Sequence, residues 1–193
     1  MSAPTRAPRA SGRGARERIE RAAARLFYRN GIHATGVESI AREAHVSKRT
    51  LYAHFASKND LVDAYLRGFE ARGLPAERRL DDTTLAARDR LLGIFEMPSR
   101  DVLRGCPFHN AAVESAGFLV SADDIVRSHK LRVTGRLVAL AREAGAADPD
   151  LLGRQLAVLF EGAAAMATSL NDTAPVAHAR TAAATLIDAA LNA

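Results

Sequence analysis

Val37 to Lys58 read VESIAREAHVSKRTLYAHFASK, and this stretch predicts two short helices joined by a tight turn. The first helix has one apolar face, because its apolar residues recur at helical spacing: Val37, Ile40, Ala41 and Ala44. The turn follows at His45-Val46-Ser47, where Ser47 is a natural N-cap for the second helix. The small side chain of Ala41 allows the two helices to cross closely.

The second helix, predicted at residues 48–55, has two chemically different sides. Leu51 and Phe55 are expected to be buried. The outward side carries two cations, a hydroxyl, a phenol and an imidazole, with no acid among them: Lys48, Arg49, Thr50, Tyr52 and His54. Donors of this kind read base edges in the major groove, and cations meet phosphates. The pattern favours a DNA-reading helix over the alternative, a solvated basic helix in an ordinary bundle.

Residues 24–62, ARLFYRNGIHATGVESIAREAHVSKRTLYAHFASKNDLV, resemble the DNA-binding domain of the TetR family of one-component transcriptional regulators. The resemblance extends over roughly residues 16–69, about a quarter of the chain. Its most specific part is residues 51–55, LYAHF, followed by Ser57-Lys58. It implies an all-α protein with an N-terminal three-helix DNA-binding domain that contains a helix-turn-helix. A helical ligand-binding and dimerisation domain is expected to follow.

Two residues depart from the family pattern. His45 lies in the turn where the family usually has glycine, and histidine tolerates a left-handed backbone better than most residues. Arg49 lies early in the recognition helix where the family often has glycine. An arginine can bind guanine through two hydrogen bonds, so the operator preference is expected to differ from that of typical members.

The expected DNA contacts divide by role. Arg49 and Thr50 are expected to touch base edges, whereas Thr35, Tyr52, His54 and Lys58 mainly position the DNA backbone. Thr35 can offer its hydroxyl and the local amides to a phosphate at the start of the helix that begins at Val37. Lys58 can offer its cation and the free amides to another phosphate at the start of the helix predicted at 58–72. The complete predicted set is Thr35, Gly36, Ser47, Lys48, Arg49, Thr50, Tyr52, His54 and Lys58.

Charge is distributed unevenly along the 193 residues. Residues 1–58 hold 12 Lys and Arg but 4 Asp and Glu, whereas residues 59–193 hold 15 basic and 18 acidic residues. The net charge of +5 therefore combines a basic N-terminal part with a mildly acidic remainder. This asymmetry suits a polyanion-binding module that is attached to a domain with another role. Abundant alanine and scarce strand-like alternation also favour an all-helical protein.

Three segments are predicted. Residues 1–14, rich in Pro, Gly, Ser and Arg, are expected to be a disordered basic tail. Residues 15–73 form the DNA-binding domain, which begins with a helix at 15–30 and includes the connecting helix at 58–72. Residues 74–193 form the ligand-binding and dimerisation domain, because Gly73-Leu74-Pro75 breaks the helical pattern.

Four main helices are predicted in this second domain, at residues 83–97, 121–145, 148–170 and 175–191. Asp148 is the expected N-cap of the third, with Pro149 at its first helical position. The last two are rich in alanine beside large aliphatic residues. By resemblance they pair with their copies in a homodimer, with Leu186 and Ile187 at the interface, although they could merely complete the monomer core. A dimer would read a palindromic operator.

The sequence around Cys106, RGCPFHN, is the local cluster most open to a special role. TetR relatives often show a Gly-Cys followed by Asn-Ala-Ala here, on a helix that lines the ligand cavity. A thiol before Pro107 could have a lowered pKa, or it could be a small packing residue. The candidate cavity residues are Ile94, Phe95, Cys106, His109, Asn110, Val113, Phe160 and Met166. This mixture suits a mostly hydrophobic ligand with one or two hydrogen-bonding groups.

These observations predict a ligand-responsive transcriptional regulator, most simply a repressor that binds a double-stranded DNA operator and is released by a small-molecule effector. An architectural DNA-binding protein without an inducer is the alternative, and an enzyme is disfavoured because no acid-base or nucleophile constellation is present. No cofactor or metal is expected: one cysteine excludes an internal disulfide and any multi-cysteine zinc site. No membrane span or secretory signal is recognisable, so a cytoplasmic location is expected.

Overall fold

The computed structural model describes residues 12–96, 104–115 and 120–192, and every regular element within these ranges is a helix. A short 3₁₀ turn, Arg79–Asp81, follows the fifth of ten α-helices in these ranges. Their bounds are α1 Gly12–Asn30, α2 Val37–Glu43, α3 Lys48–His54, α4 Lys58–Arg72, α5 Pro75–Arg78, α6 Ala87–Gly93, α7 Pro107–Ser115, α8 Val120–Glu143, α9 Pro149–Leu170 and α10 Ala174–Leu191. The predicted all-α class is confirmed.

The chain divides into two compact units, Met1–Tyr65 and Leu66–Ala193. In the first unit, α1 packs on α2 and α3 around a core to which each helix contributes. The rings of Phe27 and Tyr65 meet edge to face at 5.6 Å between centroids, which adds the start of α4 to this core. The buried residues include Ile19, Phe27, Ile40, Leu51, Phe55, Leu61, Val62 and Tyr65.

The second unit is built around α8, which packs against α6, α7 and α9, while α9 also packs against α10. The crossing of α8 and α9 is close, because a Cβ built on Gly153 would lie 2.6 Å from the backbone nitrogen of Val138. Only glycine permits this approach of the two backbones. The core of this unit includes Leu91, Ile94, Leu137, Leu152, Leu156, Ala163, Ala167, Ala183 and Ile187.

The cap of α9 was predicted correctly, and two other helices end at a glycine. Gly31 and Gly73 have φ of 94° and 65°, so each helix before them ends in a left-handed residue. The side chain of Asp148 accepts a hydrogen bond from the backbone N–H of Leu151 at 2.9 Å, with Pro149 at the first position of α9. These ends follow from local chemistry, and sequence alone identifies them.

Other helix bounds were wrong. Helix α1 begins at Gly12, so the last three residues of the predicted tail are helical, whereas residues 1–11 lie outside the described part. Helix α6 begins at Ala87, not at residue 83, because Asp82 accepts hydrogen bonds from the backbone N–H and hydroxyl of Thr84 in a turn. Helix α8, predicted at 121–145, spans Val120–Glu143.

Among the described helices, none is long and apolar enough to cross a membrane.

The two compact units each contain one candidate site. One is the helix-turn-helix of the first unit, and the other lies between α8 and α9 of the second.

Candidate functional site

The turn between α2 and α3 has the backbone that the sequence predicts. His45 has φ of 53°, in the left-handed region. The backbone N–H of His45 donates to the carbonyl of Arg42 at 3.1 Å, and that of Val46 donates to the carbonyl of Ala41 at 3.0 Å. These two bonds close the C-terminus of α2, as in a Schellman cap. The chain can therefore reverse direction here without a glycine.

Ser47 is the N-cap of α3, as predicted. Its hydroxyl oxygen accepts a hydrogen bond from the backbone N–H of Thr50 at 3.0 Å, and it lies 2.8 Å from the hydroxyl oxygen of Thr50. The start of α3 is thus satisfied by its own side chains, which fixes the first turn of the helix. The Thr50 hydroxyl can keep this contact and still bond a base, because a hydroxyl has one donor and two acceptor positions.

Two arginines of α1 hold the C-terminal ends of α2 and α3. Arg18 donates from Nε to the carbonyl of Ala44 at 3.1 Å, and Arg16 donates from Nη1 to the carbonyl of His54 at 3.3 Å. The guanidinium of Arg16 also lies 4.5 Å from the ring centroid of Phe55. Cations at helix C-termini satisfy free carbonyls and oppose the helix dipole. The sequence shows these arginines only as an outward basic stripe, so this structural role was missed.

The outward side of α3 carries donors that the protein leaves available. Arg49 and Tyr52 are exposed, and neither makes a hydrogen bond or ion pair with the part of the chain that the structure describes. Lys48 is different, because its Nζ is paired with the carboxylate of Glu38 on α2. The outward side of α3 itself lacks acids, as the sequence indicates, but the fold brings an acid beside its first residue.

Thr35 does not have the role that was predicted for its hydroxyl. The residue is only 2% exposed, and its Oγ1 lies 2.7 Å from the carbonyl oxygen of Gly31 and 3.2 Å from that of Leu26. The hydroxyl therefore donates inward to the end of α1 and is withheld from a phosphate. Gly36 is the N-cap of α2 and supplies no side chain to that end.

Lys58 begins α4, as predicted, and its Nζ lies 3.4 Å from the carbonyl oxygen of His33, to which it donates. The start of α4 is closed by a reciprocal cap that the sequence analysis missed. The backbone N–H of Asp60 donates to Ser57 Oγ at 3.1 Å, and the backbone N–H of Ser57 donates to Asp60 Oδ2 at 2.9 Å. A Ser-x-x-Asp pattern is the signal that could have found it.

The predicted cavity residues lie in different environments. Ile94 and Phe95 are buried in the core, whereas His109, Val113 and Met166 are exposed. The side-chain amide of Asn110 donates to the carbonyl of Arg104 at 2.6 Å. Helical periodicity on isolated segments could not distinguish these environments, because each depends on which neighbour covers that face.

A pocket of about 550 Å³ lies between α8 and α9. Phe160 is the predicted residue that lines it, and the ring of Phe160 contacts Phe95 edge to face at 5.9 Å. Most of the pocket surface is apolar. The Lys130–Glu161 ion pair and the hydroxyl of Thr134 are its polar groups. The lining is Lys130, Val133, Thr134, Ala157, Val158, Phe160, Glu161 and Gly162.

Cys106 lies beside this pocket, and its thiol pKa distinguishes between an activated thiol and a packing residue. Burial raises the pKa of the Cys106 thiol, and the nearby charge of Lys130 only partly offsets this effect. Lys130 Nζ lies 3.5 Å from the sulfur and is paired with the carboxylate of Glu161. Burial opposes the charged form of Lys130, but Cys106 and Glu161 outweigh it and raise the pKa of Lys130. Of the two alternatives that the sequence left open for Cys106, the raised thiol pKa favours the packing residue over the activated thiol, because desolvation exceeds the effect of the helix N-terminus.

A polar network with a buried centre, His129 and Glu77, was also missed, and it joins α8 to α4 and α5. His129 Nε2 lies 3.0 Å from Glu77 Oε1, and Arg132 Nη2 lies 3.1 Å from His129 Nδ1. Because a guanidinium only donates, Nδ1 accepts and the Nε2–H donates to Glu77. Arg132 also pairs with Glu70 at 2.9 Å, and Phe108 stacks on the His129 ring at 3.6 Å between centroids.

Comparison with known proteins agrees with this geometry. Residues 19–65 match the family described as bacterial regulatory proteins, tetR family. The HTH-type transcriptional repressor KstR2 of Mycobacterium tuberculosis is 42% identical over 79 residues, or 41% of this chain. The transcriptional activator FasR of Mycolicibacterium smegmatis is 39% identical over 75 residues. The matched part spans 39% of the length of KstR2 and 34% of that of FasR.

Solved structures extend the similarity over nearly the whole chain. A TetR transcriptional regulator from Streptomyces avermitilis is 32% identical, with a TM-score of 0.75 over 91% of this chain and 97% of its own. A TetR-family regulator from Streptomyces coelicolor is 28% identical, with a TM-score of 0.79 over 92% of this chain and 90% of its own. The chain therefore belongs to the TetR family of bacterial transcription regulators, which are DNA-binding proteins and not enzymes.

Proposed function

We propose that the protein is a ligand-responsive repressor that binds a palindromic operator as a homodimer and is released by a small, mostly hydrophobic molecule. The observation that carries DNA reading is the outward side of α3, where Arg49 and Tyr52 are exposed and make no hydrogen bond or ion pair with the described residues. KstR2 is named a repressor and FasR an activator, and each matches about two fifths of this chain, so these relatives support DNA binding and the release experiment decides the direction of regulation.

In the helix-turn-helix, some side chains hold the helices in place and others are available to bind DNA. Ser47, Arg16 and Arg18 are engaged with backbone groups and hold α2 and α3 in place. Arg49 is free to bind a guanine through two hydrogen bonds, and Tyr52 and Lys58 are suited to the DNA backbone. Rigid support beneath exposed donors is the arrangement that base reading requires.

Dimerisation is supported by exposed apolar side chains along α9. Leu151 and Val158 are seven residues apart and Met166 follows eight residues later, so the three share one side of the helix. Val158 is 74% exposed, which is unfavourable for an isolated subunit that is surrounded by water. Pairing α9 and α10 with their copies would cover this side. Ile187, predicted at the interface, is instead fully buried within one subunit.

The pocket between α8 and α9 is the candidate effector site. Val133, Ala157, Val158 and Phe160 favour an apolar body. Lys130 and Glu161 form an ion pair whose net charge is zero. A charged ligand would therefore gain little electrostatic attraction there, and this gain would not offset the free energy of removing the ligand from water. An uncharged hydrophobic molecule with one or two polar groups fits this lining best.

Coupling between effector and operator follows from linkage. If the effector lowers the affinity for DNA by some factor, DNA lowers the affinity for the effector by the same factor. The polar network of Glu70, Glu77, His129 and Arg132, of which Glu77 and His129 are buried, connects the last turn of α4 to α8, which lines the pocket. It is a physical route by which a shift of α8 would reach α4.

The test begins with genomic fragments that the purified protein selects from the source organism. Fluorescence anisotropy on a selected fragment then measures release by a library of uncharged hydrophobic molecules. A palindrome bound by two subunits and released by a member of the library is the expected result. Binding that is independent of sequence, with no release, would favour the architectural alternative.

Two glycine variants localise the effector. Gly162 lines the pocket and Gly135 lies elsewhere on α8, and a Cβ on either residue meets nothing within 4 Å. Gly162→Leu should intrude on the pocket and weaken release, while Gly135→Leu should respond as the unmodified protein does. Light scattering on both variants checks that the oligomeric state is unchanged. Equal responses from the two variants would place the effector elsewhere.

A further inference from the structure

The recognition helix begins with a cation that is already paired. Glu38 lies in the first turn of α2 and Lys48 is the first residue of α3, and the two form an ion pair across the helix-turn-helix. Both side chains are more than half exposed, at 67% and 55%. The pair is therefore on the surface of the DNA-binding unit and is accessible to a polyanion.

Both groups are held in their charged forms. The hydrogen bond from Lys48 lowers the pKa of Glu38, and the same bond raises the pKa of Lys48. At neutral pH the pair therefore consists of a full negative and a full positive charge, and its sum is zero. Arg49, the next residue, has no such partner among the described residues.

DNA affinity depends on how many cations the protein brings to the phosphates. Each phosphate that a lysine neutralises releases condensed counterions, and this sequence-independent contribution dominates non-specific binding. A lysine that is paired with a carboxylate has to leave it first, and the carboxylate then remains next to a polyanion. The contribution of Lys48 should therefore be largely cancelled.

We propose that Glu38 is a positioning residue that holds Lys48 off the DNA phosphates and so lowers the sequence-independent affinity of the protein for DNA. The proposal rests on α3 meeting DNA as described above. Base contacts by Arg49 do not involve this pair, so Glu38 weakens binding to random DNA without weakening base reading. Because a phosphate contact carries no sequence information, Glu38 lowers the affinity for operator and random DNA alike and leaves the discrimination by Arg49 unchanged.

The experiment measures affinity for a random-sequence duplex as a function of salt concentration. Glu38→Gln keeps the size of the side chain and removes its charge. The slope of log K against log salt should become more negative by about 0.9 for each DNA-bound head, which is one additional phosphate contact. Near 0.1 M salt the same change should strengthen binding by roughly five- to tenfold for each head.

A double-mutant cycle and a matched control make the outcome specific. Lys48→Gln should change the slope little in the unmodified protein and should abolish the gain when added to Glu38→Gln. Glu43→Gln is the control, because Glu43 is on the same helix, about 140° further around its axis, and pairs with Arg25 at 2.9 Å. It removes the same charge from another face and should change the slope by much less.

Three results would overturn the proposal. Equal slopes for Glu38→Gln and Glu43→Gln would mean that only net charge matters. A gain in Glu38→Gln that survives the addition of Lys48→Gln would mean that Glu38 does not act through Lys48. If the unmodified protein fails to bind any duplex, DNA binding itself is wrong and this proposal falls with it.

Discussion

At the scale of single residues, the DNA-binding surface is made of side chains with separate tasks. The hydroxyls of Ser47 and Thr35 form hydrogen bonds with backbone groups of the protein, and Lys48 forms an ion pair with Glu38. Arg49 and Tyr52 are left to meet a partner. A substitution therefore has different consequences according to whether the side chain is committed to the fold or available to DNA.

Arg49→Ala tests base reading. It should reduce the preference for one base pair in each half-site by roughly 1–3 kcal/mol, because it removes a contact through two hydrogen bonds. Binding constants for the selected operator and for single-base variants of it give the measurement. Arg29→Ala, which removes a cation from the last turn of α1, is the control and should leave the preference unchanged. An equal loss of affinity on every sequence would assign Arg49 to the DNA backbone.

Cys106 gives a pH-dependent prediction. Because burial raises the pKa of its thiol, the reactive thiolate is scarce at neutral pH and increases only as the pH rises. Alkylation by iodoacetamide should be slower in the folded protein than in the same protein in denaturant, at every pH from 7 to about 9. The chain has one cysteine, so the rates belong to this residue alone. Faster alkylation in the folded protein at pH 7 would indicate an activated thiol.

At the scale of secondary structure, helix ends and helix crossings depend on residues from other elements. Arg16 and Arg18 of α1 satisfy carbonyls at the ends of α3 and α2. His129 of α8 satisfies the buried carboxylate of Glu77, and Gly153 permits the close crossing of α8 and α9. Each of these contacts fixes the angle or position of a helix that its own sequence leaves undetermined.

His129→Ala tests the buried network. It leaves the carboxylate of Glu77 buried without its ring partner and opens a cavity beside Phe108, and together these effects should cost about 3 kcal/mol or more. Urea unfolding measures the loss. His178→Ala, at an exposed position of α10, is the matched control and should stay within about 0.5 kcal/mol of the unmodified protein. Comparable stability of the two variants would show that the network contributes little.

At the scale of the whole molecule, the exposed apolar residues of α9 point to an assembly larger than one chain. Leu151, Val158, Met166 and Leu170 are all more than half exposed. Covering them would stabilise a dimer through apolar burial, at roughly 25 cal/mol for each Å² removed from water. A dimer also presents two copies of α3, which a palindromic operator requires.

Leu151→Glu combined with Met166→Glu tests the dimer. Two charges on each subunit would be buried across a symmetric interface without partners, which is strongly unfavourable. Light scattering at micromolar concentration should show a dimer for the unmodified protein and a monomer for this variant. Leu131→Glu with Val113→Glu places the same charges on exposed apolar positions of α8 and α7, and it should stay dimeric. A monomeric unmodified protein would contradict the proposal.

The helix-turn-helix was predictable because its signals are local. The periodicity of residues 37–55, the cap at Ser47 and the turn at His45 involve neighbours in the sequence, and the structure has each of them. The family and the all-α class followed from the same residues. Local hydrogen bonds and a repeat of 3.6 residues leave little freedom for such short helices.

The tertiary structure alone decided which polar groups meet. Glu38 and Lys48 are ten residues apart, and Glu77 and His129 are fifty-two residues apart, so no periodicity connects them. The same reason explains why the predicted cavity residues separated into core and surface, and why Ile187 is buried within one subunit. Burial is a property of the covering neighbour, and a helical pattern identifies an apolar side without identifying what covers it.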